Sequence, residues 1–190
     1  MTIDSLRITR ARFVLGEIKY KTKSESSSFR KTPFVLELNL SSAIQNISLS
    51  DLPFGSYREI EYDVHCIEMN DMISLSSSEQ MQFRDFAAAE RYSIIISGKI
   101  YSGGQSIVFT FRSRVSSKHT IGLSPEIVIG EQLVPVNATM FINSGGWFRS
   151  VSGDLLDPSD RQNENIISDN VSASIKVFKD NNKDGRNDAN

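Results

Sequence analysis

The sequence predicts an all-β fold: an antiparallel β-sandwich with one or two short helices and a C-terminal half loop of the EF-hand kind. Three observations predict it. Segments such as FVLELNL (34–40) alternate apolar and polar residues with a period of two. A Gly-Gly turn joins two such segments in YSIIISGKIYSGGQSIVFTFRSR. Turn residues recur between the apolar segments, and few stretches carry a helical period.

The elements follow in order. Residues 6–20, LRITRARFVLGEIKY, read as a long first strand, with Gly16 marking a bulge or bend. Lys21 to Lys31 is Ser/Lys-rich without periodicity and reads as a solvated hairpin loop. In 34–40, Phe34, Leu36, Leu38 and Leu40 share one face. After a turn at Pro53 and Gly55, Ile60, Tyr62, Val64 and Cys66 share a face, and Glu59, Glu61, Asp63 and His65 lie on the other. That pattern is a strand with one wet face. In 70–91, FAAAER reads as a short helix. Ile94, Ile96 and Ile100 then answer Ile107, Phe109 and Phe111 across the SGGQ turn. EIVIG (126–130) and QLVPVNATMFI (132–142) are two more strands, and Pro135 gives the second an edge position or a bulge. At 171–178 both periods fit. Val171, Ile175 and Phe178 have helical spacing, Val171, Ala173, Ile175 and Val177 have strand spacing, and a cap at Ser168 or Asp169 tips the balance to helix. The expected organisation is a sandwich over 1–150 and a C-terminal segment, 151–190, packed on it.

Bulk properties narrow the function. The chain has 190 residues, 39% hydrophobic, with a formal net charge of −2 and no long run of one sign. It has enough chain for one sizeable core. No basic face points to nucleic acid. No apolar run is long enough to cross a membrane as a helix, and the start, MTIDSLRITRARF, lacks the apolar core of a signal peptide. Cys66 is the one cysteine and reads as a small buried thiol.

Catalytic constellations are weak. His65 and His119 are far apart and carry no motif. No His/Cys cluster has zinc spacing, and no G-x-S-x-G elbow occurs. The strand spacing of Glu59, Glu61 and Asp63 suits paired-carboxylate chemistry, but a solvated sheet face explains it better. The reading is therefore a protein that is not an enzyme. Two features remain. FKDNNKDGRND places Asp180, Asn182 and Asp184 at alternate positions before Gly185, the first half of a calcium loop. The Arg186 carbonyl and Asp188 fall where further ligands belong, while the twelfth-position acid is missing. Calcium is the expected ion, in a structural role. Trp147 and Phe148, after Gly145-Gly146, are candidates for stacking on a sugar, with a core plug as the commoner outcome for such a pair.

The order of several segments resembles a family of exported bacterial lipoproteins of unknown function. The segments are LSDLPFGSYREIEYDV, SIIISGKIYSGGQSIVFTFRS, GGWFRSVSGDLLDP and ENIISDNVSASIKVFKDNNKDG. The resemblance implies an Ig-like or prealbumin-like sandwich, an extracellular or cell-surface location, and no enzymatic activity. It supplies no site residues, and this chain shows no lipobox cysteine at its start. The expected function is an extracellular structural or assembly domain stabilised by calcium. Its partner would be protein, including itself by strand addition, with 6–20 as the candidate donor. The alternative is a module binding carbohydrate or another surface ligand.

Overall fold

In a computed structural model of the chain, the described residues are 2–22, 26–30, 32–40, 53–73, 75–87, 90–131 and 137–188; for 26–30 and 138 only the backbone is described. The fold is mostly β. The strands are β1 (Ser5–Lys21), β2 (Ser26–Arg30), β3 (Phe34–Glu37), β4 (Gly55–Val64), β5 (Ile94–Ser102), β6 (Gln105–Ser113), β7 (Ser117–Ile129), β8 (Ala138–Ile142) and β9 (Ile175–Lys179). Three short helices join them: α1 (Met69–Ile73), α2 (Ser77–Gln82) and α3 (Glu164–Ala173). β1 to β7 form one antiparallel sheet, and β8 and β9 form a second.

β1 organises the larger sheet. Its first half pairs with β5 and its second half with β4, along the same edge. The two neighbours succeed each other at Val14, whose N–H bonds Ser93 O (2.8 Å) and whose carbonyl accepts from His65 N (3.0 Å). The other edge of β1 takes β3 and then β2. The sheet thus forks at Val14 into a β6-β5 arm and a β7-β4 arm. β1 is central, and residues 12–15 and 18–21 are paired on both edges within the chain.

Two register shifts in β1 keep its apolar residues on one face. One lies between Leu15 and Ile18, at Gly16. A Cβ on Gly16 would stand 2.2 Å from Asp63 Oδ2. Its absence admits the Asp63 carboxylate, which accepts from Glu17 N at 2.8 Å. The other lies between Ile8 and Arg10, opposite Gly98. There a Cβ would meet Arg7 O at 2.3 Å and the Phe109 ring at 2.7 Å.

The inner face carries Ala11, Phe13, Leu15, Tyr57, Ile60, Tyr62, Ile94, Ile96, Phe109 and Phe111. The same core includes Trp147, Phe148, Ile167, Val171, Ile175 and Val177 from the C-terminal part of the chain. The segment after residue 150 is therefore built into the core, and β8–β9 pairing crosses the expected boundary at 150. On the outer face, Val14 and Ile95 pack under Leu75, Phe83 and Phe86. Arg12 pins this cap. It lies 5.2 Å over the Phe86 ring and 2.6 Å from Asp85.

Some expectations change. FAAAER is not a helix where it is described: 83–86 is a turn following α2, whose start is fixed by a Ser76–Glu79 capping box. The supposed loop at 21–31 contains β2. The strand expected at 126–130 begins earlier, at Ser117. Val134, Pro135 and Val136 lie outside the described residues. At 171–178 both periods are used in turn: α3 ends at Ala173 and β9 begins at Ile175. α3 starts after Asn163 rather than at Ser168 or Asp169.

Candidate functional site

The C-terminal loop follows β9 directly. Asp180 is fully buried. Its N–H bonds Asn137 O at 2.9 Å, continuing the β8–β9 ladder by one residue. Its Oδ2 accepts from Thr139 Oγ1 (2.6 Å) and Gly185 N (3.0 Å), and its Oδ1 from Asp184 N (3.0 Å). Burial disfavours the ionised carboxyl. Hydrogen bonds from Thr139 and the backbone of Gly185, Asp184 and Lys183 outweigh it and hold the pKa below its ordinary value.

The rest of the loop closes on itself. Asn182 Oδ1 accepts from Asp184 N at 3.1 Å, and Asp184 Oδ1 from Arg186 N at 2.8 Å. Asp188 returns to the strand: its N–H bonds Lys179 O at 3.0 Å and its Oδ2 accepts from Asn181 N at 2.8 Å. Asn187 Nδ2 reaches Ser124 O on β7 at 3.3 Å. Lys183 and Gly185 take left-handed φ of 60° and 78°. For lysine that conformation is costly, so the loop is held tightly by its other contacts.

The donor set suits a hard cation. Asp180, Asn182, Asp184, Asp188 and the Arg186 carbonyl supply oxygen only, as calcium requires. Asp180 Oδ2 already accepts two hydrogen bonds, while Asp180 Oδ1, Asp184 Oδ1 and Asp188 Oδ2 keep a lone pair beyond the N–H each accepts. Among the described residues, however, no three His, Cys, Asp or Glu side chains converge as a metal centre. The ligand types fit, but the carboxylates do not converge.

Trp147 and Phe148 are placed differently from a sugar platform. Trp147 is 0% and Phe148 3% exposed. The indole meets Phe13 edge-on at 5.8 Å and donates from Nε1 to Ser174 Oγ at 2.8 Å. Phe148 stands edge-on to Phe109 and Phe111. The Gly145-Gly146 turn sends both rings inward because the sheet face opposite is aromatic and needs filling. The indole offers no face to a ligand, and Phe148 is nearly closed off from solvent.

The charged side chains of β4 also differ from the solvated face expected of them. Glu61 is only 6% exposed. Lys118 from β7 and Lys21 from β1 each reach it at 2.5 Å, and lower its pKa in that order of effect. The flanking strands bring a cation to either side, and the lysine stems cover the carboxylate. His65 is half-buried and bonds Asp71 Oδ2 at 2.8 Å, with Asp63 Oδ2 4.0 Å from its other ring nitrogen. It ties α1 to the end of β4. Cys66 is half-buried, its thiol 3.2 Å from Arg114 O; burial pushes its pKa up, away from a reactive thiolate.

One pair escaped the sequence reading. Ser117 Oγ and His119 Nε2 are 2.8 Å apart, two residues along one strand face. That is a nucleophile–base distance. The imidazole stacks on Tyr62 at 5.1 Å and 18°, and burial lowers its pKa. Among the described residues no carboxylate is bonded to its Nδ1, so the pair lacks the third member of a triad. The signal available was S-x-H at strand spacing.

A cleft of about 490 Å³ lies beside the start of β1, lined by Leu6, Ile8, Leu40, Phe148, Arg149 and Leu155 among others. Asp4, Arg7 and Arg149 are the charged residues of its lining. No helix among the described residues is long and apolar enough to cross a membrane. No family model, no curated protein and no solved structure matches the chain.

Proposed function

We propose that this chain is a non-catalytic structural domain of the antiparallel sandwich type whose C-terminal loop is closed by calcium. The observation that carries it is Asp180. It is a fully buried carboxylate at the end of a core strand, opening a loop of oxygen donors at alternate positions. In this reading Asp180, Asn182, Asp184, the Arg186 carbonyl and Asp188 hold the ion. The ion's charge draws their oxygens together and fastens the chain end to β8 and β9.

The fork of the sheet at Val14 supports the sandwich. Strands that change partners by bulges or bends are how sandwich layers exchange strands, and the bulge at Gly16 follows the changeover directly. The resemblance to exported lipoproteins supports a cell-surface or extracellular setting, where calcium is abundant enough for a loop with few ligands. The role is assembly: a rigid β domain that associates with protein. The sugar-platform alternative loses its aromatic surface with Trp147 buried.

Limited proteolysis tests the clasp. Cleavage after Lys179, Lys183 and Arg186 by trypsin should slow markedly in calcium relative to chelator in the intact chain, and Asp184→Ala should abolish the difference. Equal cleavage rates with and without calcium would refute the clasp.

A further inference from the structure

The assembly reading leaves open which surface associates, and the β6 edge answers it. β6 pairs with β5 in an unbroken register from Ser102↔Gln105 to Ile94↔Ser113. The two-residue turn at Gly103-Gly104, with φ of 55° and 78°, makes Ser102 and Gln105 a hydrogen-bonded pair. Alternation then directs the N–H and C=O of Ser106, Val108, Thr110 and Arg112 away from β5. Among the described residues, none of these groups has another backbone partner.

Edges of this kind are normally blunted by lysines, prolines, bulges or a covering element. β6 reads QSIVFTFRS, with one charge near its far end and no register shift. Val108 is 73% exposed and Ile107 45%. The unpaired backbone specifies the chemistry of what covers it: another β-strand.

We infer that the β6 edge pairs with the β6 edge of a second copy of this chain, joining two sheets into one across a twofold axis; this rests on the assembly reading above. Self-pairing suits the sequence. The antiparallel register that overlaps the whole strand is centred on Phe109. It sets Val108 opposite Thr110, Ile107 opposite Phe111 and Ser106 opposite Arg112 of the second copy. The hydrogen-bonding groups that face outward then meet each other, since 108 and 110 belong to the same alternate set. The two Arg112 side chains fall at opposite ends of the pair, so no like charges oppose. The contact is isologous and closes at two copies.

Sedimentation velocity of the intact chain, from low micromolar to the solubility limit, should show a reversible dimer. Thr110→Pro removes an outward N–H without touching the β5 ladder, and should yield a monomer with unchanged far-UV dichroism. Val108→Lys, which retains the backbone, should weaken the dimer as well. With Val108→Cys and Thr110→Cys together, oxidation should give covalent dimers. A chain that stays monomeric at all concentrations, or a dimer that neither single variant weakens, overturns the inference. Calcium uptake by the same samples is scored separately: a calcium-binding monomer overturns the edge pairing alone, and a dimer without calcium overturns the clasp alone.

Discussion

Trp147 is the only tryptophan of the chain and is fully buried, so truncating it probes how the C-terminal segment is held. Trp147→Ala removes three contributions at once. The indole filled the space between β1 and α3, and losing a buried ring of this size costs about 3–5 kcal/mol. That figure contains the edge-on contact with Phe13, worth about 1 kcal/mol. It also contains the Nε1–H bond to Ser174, worth about 1 kcal/mol. Ser174 Oγ keeps its own donation to Val171 O, so no buried donor is orphaned and the cost stays within the range. Trp147→Phe retains most of the ring and should cost about 2 kcal/mol. Urea unfolding followed by far-UV dichroism measures both. A domain of this kind has about 5–15 kcal/mol of stability, so both variants should still fold. In the native protein, iodide should leave the indole emission almost unquenched. A loss below about 1 kcal/mol for Trp147→Ala, or ready iodide quenching, would show that the ring is not the core plug described.

The remaining predictions concern the sheet. Gly98→Ala should destabilise by about 3 kcal/mol, because the new Cβ meets backbone at Arg7 O and cannot be accommodated by a rotamer change. Gly122→Ala, where nothing lies within 4 Å, should be nearly neutral, and the two melting temperatures compare them directly. Glu61 is depressed by Lys118 and Lys21. Its contribution is present above the unfolded carboxyl pKa and is lost as pH falls through the lower folded value. Chemical unfolding across the acid range should therefore show a steeper loss of stability for the native protein than for Glu61→Gln. Arg12→Ala should cost about 2 kcal/mol through the lost contacts with Asp85 and Phe86. Amide exchange should rise in 75–87 before it rises in β5.

Period-two alternation made the strands legible wherever apolar and polar residues take opposite faces, as in β4 and the β5–β6 hairpin. Gly16 was legible as a bulge or bend because a glycine inside a strand otherwise only weakens it. What escaped depends on distant partners. Glu61 carries the pattern of an exposed residue and is buried only because Lys21 and Lys118 arrive from other strands. β1 has the composition of a free donor strand, and only the pairing along both edges of its second half places it at the centre. The ambiguity at 171–178 was physical: a helix hands over to a strand at Ser174, so each period governs half of the window. In the loop, the alternate oxygens were readable from spacing. That Asp180 is buried and bonded to Thr139 was not, because Thr139 lies on the partner strand β8.

Calcium titration by calorimetry on the intact chain tests the central claim most directly. The expected result is saturable uptake of one ion, loss of that uptake in Asp184→Ala, and a higher melting temperature in calcium. A ligand held at about a hundred times its Kd adds about 2.7 kcal/mol. No heat of binding and an unchanged melting temperature in calcium would contradict it.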